Sequence, residues 1–149
     1  MHVKIKKLHP DARIPEKTYE ADFCYDCYAV SEEEVAPNVW RYGLGFAMEI
    51  DDIYEQLDPE CLIGVTARPR SSIWKTGMIL SNAPGTIDEI YRGQLYAVFY
   101  HVMTDMPRYK VGDKICQIHL SVTTKMEFRE VDKLSETERG SNGFGSTGK

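Results

Sequence analysis

The chain has 149 residues, of which 42% are hydrophobic and 28% are charged, and its formal net charge is -5 at pH 7. This length favours a single domain that buries its own core without disulfides. The acidic balance, without a basic stripe, argues against electrostatic binding of nucleic acid. No apolar run approaches the roughly 18 residues of a membrane span, and the N-terminus has no signal-peptide core. We therefore expect a soluble cytoplasmic protein that binds neither nucleic acid nor membrane.

Alternation of apolar and polar residues predicts short β-strands along the chain. The first pattern covers residues 3–5, and the clearest covers residues 40–50, where every second side chain is large and apolar. We predict one long strand there. Similar patterns follow at residues 116–120 and 126–128. Turn-forming residues separate the patterns, which indicates an all-β fold, a β-sandwich or jelly roll.

Helical signals are few. Residues 51–57 are compatible with one or two helical turns that end before Pro59, because proline cannot continue a helix. Ser71 or Ser72 is a candidate cap for a short turn over residues 73–75. These elements are too short to change the all-β prediction.

The four cysteines predict structural thiols rather than a metal site. Cys24 and Cys27 have a CxxC spacing, but Cys61 and Cys116 do not form a second such pair. If residues 24–27 form a strand, the odd separation turns the two side chains to opposite faces, which does not suit a tetrahedral site. We therefore expect reduced thiols.

Residues 68–72 combine two arginines with two serines, a composition that suits phosphate binding. Arg70 can donate two parallel hydrogen bonds to a phosphate, and Ser71 and Ser72 can add hydroxyl donors at the start of the short turn. A charged surface loop with an ordinary cap would have the same composition, so both interpretations stay open here.

Residues 82–93 form a second polar segment, which we predict as a hairpin-like turn. Asn82 has a donor and an acceptor that can pair with a pyrimidine edge. Asp88 can accept a hydrogen bond from a sugar hydroxyl or a water, and Tyr91 can form a wall against a sugar. A solvated turn acid and a core tyrosine are the alternative.

A third candidate segment lies at residues 112–117. Strand alternation there buries Cys116 and turns Gln117 to the opposite face. The amide of Gln117 can then orient a water or a phosphate.

Residues 139–149 have the composition of an arm that wraps a nucleotide. Glycines let backbone N–H groups approach phosphate oxygens, and Ser146 and Thr147 add donors. Phe144 offers a flat face to a base, and Arg139 can bind a terminal phosphate. A disordered tail rich in glycine and serine is the alternative.

We expect the arm to be a terminal segment rather than a Walker A loop. Residues 143–149 match the first part of that motif, but the helix and the hydroxyl residue that follow its lysine are missing from the sequence. We predict a β domain over residues 1–138 and a terminal arm over residues 139–149.

Five blocks of the sequence, in order along the chain, resemble the five motifs of the trimeric dUTPase family. They are centred on Asp26, Arg70, Asp88, Gln117 and the C-terminal arm. The most specific parts are Pro-Arg-Ser-Ser at 69–72, Gly-Thr-Ile-Asp at 85–88, Tyr-Arg-Gly at 91–93, Gly-Asp-Lys-Ile-Cys-Gln at 112–117 and Gly-Phe-Gly-Ser-Thr-Gly at 143–148. One such match would be weak, but an ordered series over nearly the whole chain is specific.

The resemblance implies a jelly-roll β domain whose C-terminal arm is exchanged in a homotrimer, with sites between subunits. It also implies hydrolysis of dUTP to dUMP and pyrophosphate by attack of water at the α-phosphate, with Mg²⁺ as cofactor. Such an enzyme keeps uracil out of DNA and supplies dUMP for dTMP synthesis.

The same resemblance assigns residue roles. Asp88 holds the 3′-hydroxyl and, with Gln117, orients and deprotonates the attacking water, while Asp26 holds Mg²⁺ through a water. The nucleoside contacts fall on Asn82, Gly85, Thr86, Ile87, Tyr91 and Tyr96. The phosphate contacts and the closing arm fall on Arg70, Ser71, Ser72, Arg139, Phe144, Gly145, Ser146 and Thr147. In this scheme the pocket is too tight for a 5-methyl group, and the tyrosine under the sugar excludes a 2′-hydroxyl.

Three features depart from the family pattern. Cys24 and Cys27 flank Tyr25-Asp26 where the family usually has glycine and leucine. Ile90 stands where a second acid is common, and residues 51–60 resemble an insertion between the long strand and the phosphate-binding segment.

Two other functions compete with dUTP hydrolysis. A dCTP deaminase is similar in fold, but Val98 stands where that enzyme has its catalytic glutamate, and valine cannot act as a base. A regulatory protein could keep the dUTP pocket and use the insertion at residues 51–60 to contact a partner.

Overall fold

The structure is a computed structural model that describes residues 2–51, 58 and 60–143. In chain order the strands are β1 (His2–Lys7), β2 (Tyr25–Tyr28), β3 (Ser31–Ala36), β4 (Val39–Gly43), β5 (Phe46–Asp51), β6 (Cys61–Pro69), β7 (Met78–Leu80), β8 (Gly85–Asp88), β9 (Tyr96–His101) and β10 (Lys114–Thr124). A 3₁₀ helix, Ile73–Lys75, lies between β6 and β7. No helix within these ranges is long and apolar enough to cross a membrane.

The strands form two four-stranded sheets and one two-stranded sheet. The orders are β2-β10-β6-β8, β3-β4-β9-β7 and β1-β5. All pairings are antiparallel. Because the core cluster contains residues from both four-stranded sheets, the two sheets pack as a sandwich. The all-β, jelly-roll-like prediction is confirmed.

The centre of the sandwich is aromatic. The largest fully buried side chains are Tyr42, Phe46, Phe99, Ile115, Cys27 and Cys116. Tyr42 and Phe99 pack edge to face with 5.7 Å between ring centroids, a geometry that adds about 0.5–1.5 kcal/mol beyond burial alone. The Tyr42 hydroxyl donates to the Tyr109 carbonyl at 2.8 Å, so it is not buried without a partner.

The prediction of one strand over residues 40–50 is wrong, because a bend at Leu44 and Gly45 separates β4 from β5. Gly45 has φ +75°, and a Cβ there would lie 2.7 Å from Val30 Cγ2. The chain can therefore change sheets at this glycine. The alternation continues across the bend because Leu44 is also buried in the core.

The predicted strand at residues 126–128 is also wrong. β10 ends at Thr124, and Lys125 N makes one further backbone bond, to Glu60 O at 2.8 Å. Met126 and Phe128 are 72% and 90% exposed, so their apolar alternation does not reflect burial within this chain.

The short elements agree in part with the sequence. The predicted turn over residues 73–75 is confirmed as the 3₁₀ helix, although Ser72 makes no side-chain capping bond. The predicted helical turns at residues 51–57 lie outside the described residues, apart from Asp51 at the end of β5.

Candidate functional site

A cleft of about 280 Å³ opens between β8 and β9. Its lining is Ala67, Leu80, Asn82, Gly85, Thr86, Ile87, Asp88, Tyr91, Gln94, Leu95, Tyr96, Ala97 and Val98. All residues that the sequence assigned to nucleoside binding are in this set, together with Asp88. Apolar side chains such as Leu80 and Ala97 are buried at its base, while Asn82 and Asp88 are exposed.

The cleft exists because β8 and β9 belong to different sheets. β8 pairs with β6, with Gly85 opposite Ala67 and Asp88 opposite Gly64, whereas β9 pairs with β4 and β7. The hairpin-like turn predicted for residues 82–93 is not formed by paired strands, because β8 is the strand of that segment and it pairs with β6. The cleft is the space between β8 and the following strand, β9.

A glycine lets the asparagine lie close to the start of β8. A Cβ on Gly85 would lie 3.1 Å from Asn82 Nδ2 and 3.2 Å from the Asn82 carbonyl oxygen. Both distances are tighter than nine in ten real Cβ contacts, so a larger residue would displace Asn82 slightly. Glycine at this position therefore lets the Asn82 amide lie close to the start of β8.

A tight turn holds Tyr91 at the mouth of the cleft. Tyr91 N donates to Asp88 O at 3.0 Å, and the Tyr91 hydroxyl donates to Gln94 O at 3.0 Å. A Cβ on Gly93 would lie 2.6 Å from Tyr91 Cζ, so only glycine accommodates the ring in this position. Arg92 Nε lies 3.6 Å from Glu49 Oε2 and links the turn to β5.

Asp88 lies at the end of β8, and its side chain is exposed. Within the described residues, no cation forms an ion pair with its carboxylate. It is thus available to accept a proton or to bind a hydroxyl group.

A second polar cluster lies where β2, β6 and β10 meet. Asp26 Oδ1 accepts from Arg70 Nε at 3.1 Å, and Asp26 Oδ2 lies 3.1 Å from Lys114 Nζ. Gln117 is opposite Asp26 in the ladder between β2 and β10, and its Nε2 donates to Pro69 O at 3.1 Å. Three predicted site residues, Asp26, Arg70 and Gln117, therefore lie together.

The charges of this cluster are interlocked. The Asp26 carboxylate, followed by the Tyr28 hydroxyl, raises the pKa of Lys114. Hydrogen bonding from Tyr28, with a further contribution from Lys114, lowers the pKa of Glu16. Arg70 uses Nε for Asp26 and Nη1 for the Lys114 carbonyl at 3.4 Å. Its Nη2 has no partner in the described part of the chain and is available to an anion.

Lys114 belongs to the motif at residues 112–117, but the sequence did not predict a role for it. Regular strand alternation would place Lys114 and Gln117, three positions apart, on opposite faces. A bulge between Lys114 and Cys116 inserts one extra residue, which brings Lys114 to the same face as Gln117 and Asp26. Bulges of this kind have no clear sequence signal, so this contact could not be predicted.

Ser71 and Ser72 follow Arg70 at the start of the 3₁₀ helix. Ile73 N donates to Arg70 O at 3.1 Å, and Lys75 N donates to Ser72 O at 3.0 Å. Ser71 is exposed and Ser72 is half-buried. Their backbone is therefore fixed beside Arg70.

The arm contributes one described site residue. Arg139 is exposed, and its Nε donates to Asn142 O at 3.0 Å. The remaining arm residues with assigned roles, Phe144, Gly145, Ser146 and Thr147, lie outside the described residues.

The cleft and the cluster are separate places on one chain. Asp88 lies opposite Gly64, whereas Gln117 lies opposite Arg68, on the other side of β6. With about 4.8 Å between strands and about 3.3 Å per residue, their Cα atoms are about 16 Å apart. One chain therefore does not bring these two side chains to the same water.

The cysteines do not form a metal site in the described residues, and Cys24 is not an activated nucleophile. All four are free thiols, and the described residues contain no group of three or more side chains suited to a metal. Cys24 Sγ lies 3.8 Å from His119 Nδ1. However, burial raises the pKa of Cys24 and lowers that of His119. The pair is thus neutral, unlike an activated thiolate and imidazolium.

Cys27 and Cys116 belong to the core. Contact with the Cys116 thiol, together with burial, raises the pKa of Cys27 well above its usual range. The strand considered for residues 24–27 begins at Tyr25, so Cys24 lies outside it. Cys24 is half-buried, whereas Cys27 is 1% exposed.

These features define a class of protein: a β-sandwich with a small cleft whose mouth is polar and a separate cluster of charged and polar side chains. A model of the dUTPase family matches residues 11–148, and the chain therefore belongs to the dUTPase family. It is 36% identical over 149 residues to the deoxyuridine 5′-triphosphate nucleotidohydrolase of Helicobacter pylori (strain P12), covering 99% of this chain and 97% of that protein.

Solved structures show the same fold. A Staphylococcus bacteriophage 80alpha dUTPase with dUPNHPP superposes with a TM-score of 0.79 at 21% identity, covering 99% of this chain and 98% of that chain. A mutant dUTPase from phage phi11 of S. aureus, in which a structural Mg(II) ion is coordinated, has a TM-score of 0.67 at 18% identity and covers 91% of this chain and 100% of that chain.

Proposed function

We propose that this protein is a dUTP diphosphatase, which hydrolyses dUTP to dUMP and pyrophosphate by attack of water at the α-phosphate. The observation that carries the proposal is the cleft between β8 and β9, where Asn82, Asp88 and Tyr91 converge in a chain of the dUTPase family. The biological consequence would be removal of dUTP from the DNA precursors and supply of dUMP for dTMP synthesis.

The size and lining of the cleft support selection of one nucleoside. At about 280 Å³ it is slightly smaller than the usual range of ligand pockets, about 300–1,000 Å³, so the phosphates would extend beyond it. Asn82 and the backbone of residues 85–87 would contact the uracil edge. The ring of Tyr91, fixed by its bond to Gln94, would pack under the deoxyribose and exclude a 2′-hydroxyl. Tyr96 would complete the wall.

In the proposed mechanism, Asp88 accepts a hydrogen bond from the 3′-hydroxyl and takes a proton from the attacking water. Gln117 holds that water with its amide, and Arg70, Ser71 and Ser72 bind the phosphates. Since Asp88 and Gln117 of one chain are about 16 Å apart, we propose that each site joins the cleft of one subunit to the cluster of a neighbour. A homotrimer, as in the family resemblance, would provide such sites.

The residues of the cluster suit a magnesium ion that is bound mainly by the phosphates of the substrate. The described residues do not form a cage of three or more metal-binding side chains, and both Asp26 oxygens already contact cations. Asp26 is therefore suited to accept a hydrogen bond from a metal-bound water rather than to bind the ion directly. Mg²⁺, when bound, neutralises and aligns the phosphate oxygens.

The arm and the location of the protein remain predictions. We propose that residues 139–149 close over the nucleotide, with Phe144 against uracil, Arg139 at the γ-phosphate and Gly145, Ser146 and Thr147 along the phosphates. Closure would exclude water and align the triphosphate. The proposal also includes a boundary between residues 138 and 139, exchange of the arm between subunits and a cytoplasmic location.

The direct test is incubation of the protein and Mg²⁺ with dUTP, dTTP, dCTP or UTP in separate reactions, followed by chromatography of the products. We expect dUMP and pyrophosphate from dUTP and little product from the other three. Conversion of dCTP to a uracil nucleotide would instead identify a deaminase, which Val98 in the lining of the cleft argues against. Tight binding of dUTP without product would identify a regulatory protein.

A further inference from the structure

Two core cysteines face each other beside the polar cluster. Cys27 of β2 lies directly opposite Cys116 of β10, and the two residues are 1% and 0% exposed. The next pair along this ladder is Asp26 and Gln117. The cysteine pair is therefore adjacent to two residues of the candidate site.

The backbone spacing suits a bond between the two sulfurs. Directly opposed residues in antiparallel strands have Cα atoms about 4.5–5.5 Å apart, and disulfides span Cα separations of about 4.4–6.8 Å. Cys27 and Cys116 can thus be joined without large movement of the strands.

The position of β2 provides access to the pair. β2 has four residues and lies at the end of its sheet. The bulge between Lys114 and Cys116 interrupts its pairing with β10, and an isolated bridge between Glu16 and Asp26 holds its outer side. Short edge strands open at lower cost than core strands. Transient opening of β2 would expose both thiols to a small oxidant and would remove the contact and burial that raise the pKa of Cys27 in the closed core.

We propose that Cys27 and Cys116 form an oxidative modification site, in which a reversible disulfide switches off the neighbouring polar cluster. Hydrogen peroxide oxidises one thiol to a sulfenic acid as the O–O bond breaks and one water is released. The other thiol attacks that sulfur, the S–S bond forms and a second water leaves. Two thiols are oxidised by two electrons in total, and the peroxide is reduced to two waters. A dithiol reductant reverses the reaction.

The disulfide has a consequence for the site. Two sulfurs in nonbonded contact must approach to about 2.05 Å, which moves β2 against β10 at the pair Asp26 and Gln117. A misplacement of about 1 Å can cost about 10²-fold in rate, so we expect at least about a tenfold loss of dUTP turnover. This consequence rests on the proposed function, whereas formation of the disulfide does not.

The test treats the full chain with hydrogen peroxide and follows both chemistry and activity. After alkylation of free thiols and digestion with trypsin, we expect the peptide of residues 18–41 joined to that of residues 115–125, with Cys24 alkylated. Turnover of dUTP should fall at least about tenfold and return with dithiothreitol. The Cys27→Ala and Cys116→Ala variants should resist inactivation, while Cys61→Ala, a matched control outside the pair, should lose activity like the wild type.

Three results would overturn the inference: no joined peptide at a peroxide dose that inactivates the enzyme, equal inactivation of Cys116→Ala, or a joined peptide without loss of turnover. If Cys27→Ala fails to fold, Cys116→Ala removes the same bond and decides the question. Absence of dUTP turnover in the reduced wild type would refute the proposed function instead, and the joined peptide would still report on the disulfide.

Discussion

Asp88 on β8 and Gln117 on β10 lie on the two strands that flank β6, and their partners on β6 are four residues apart. The resulting separation of about 16 Å prevents both side chains of one chain from contacting a single water. If the two residues act in one reaction, their side chains must come from different subunits. In that case an assembly of subunits would be required for the proposed chemistry.

Mixing two inactive variants tests the shared site. We expect Asp88→Asn and Gln117→Ala each to lower dUTP turnover, and co-refolding of equal amounts to restore about a quarter of the wild-type rate, because random assembly leaves about one site in four with both native residues. Steady-state rates before and after mixing measure this. Co-refolding Asp88→Asn with Asp88→Ala is the control and should restore nothing. A fully active monomer by light scattering would contradict the shared site.

Asp88→Asn alone tests the general base. The substitution keeps size and hydrogen bonding but removes the proton acceptor, so we expect kcat to fall by about 10²–10⁴-fold. The melting temperature should change little because Asp88 is exposed and has no ion pair within the described residues. Asp105→Asn, which changes an exposed loop carboxylate elsewhere, is the matched control. An unchanged turnover rate for Asp88→Asn would refute the assigned mechanism.

Gly93→Ala tests the position of the tyrosine ring. The new Cβ would meet Tyr91 Cζ at 2.6 Å and displace the ring from the mouth of the cleft. We expect the ratio of kcat/KM for dUTP over UTP to fall by about tenfold, which corresponds to about 1.4 kcal/mol of lost discrimination.

A double-mutant cycle provides the control for this prediction. In a Tyr91→Ala background the ring is gone, so Gly93→Ala should have little further effect. An equal effect of Gly93→Ala with and without the ring would show that the glycine acts through the backbone of the turn.

Deletion of residues 139–149 tests the arm. Of the described arm residues, 139–142 are exposed and Gly143 is half-buried, so the shortened protein should melt near the wild-type temperature while losing most of its dUTP turnover. Arg139→Lys, which keeps the charge but not the fork of donors, should fall between the wild type and Arg139→Ala. Full activity of the shortened protein would rule out closure of the arm as a requirement.

The sequence predicted the residues of the cleft better than its shape. The resemblance to the ordered family motifs marked Asn82, Asp88 and Tyr91, which line the cleft, whereas a polar turn alone would equally suit a solvated acid and a core tyrosine. Their arrangement depends on the pairing of β8 with β6 rather than with β9, and such long-range pairing has no local signal.

Local rules also failed where backbone irregularities intervene. The alternation at residues 40–50 could not reveal the bend at Gly45, because apolar residues on both sides of it reach the same core. The bulge beside Cys116 likewise reversed the face expected for Lys114. In both places a single residue changed the direction of the chain without changing its hydrophobic pattern.

His119 predicts a dependence of stability on pH. It is 8% exposed and packs against Phe23 with 5.0 Å between ring centroids. Burial, followed by the positive charge of Arg68, lowers the pKa of His119 in the folded state. The unfolded chain therefore binds more protons between the lowered pKa and the ordinary value of about 6.5, and stability falls as the pH falls through that window.

Thermal unfolding from pH 7.5 to pH 5 measures the effect. We expect the stability advantage of the wild type over His119→Gln to be greatest above the ordinary histidine pKa and to shrink as the pH falls. His2→Gln, at an exposed position of β1, is the matched control and should show no such change. An advantage that stays constant across the range would mean that neutral and protonated His119 fit the folded sheet equally well, which its burial beside Phe23 and Arg68 argues against.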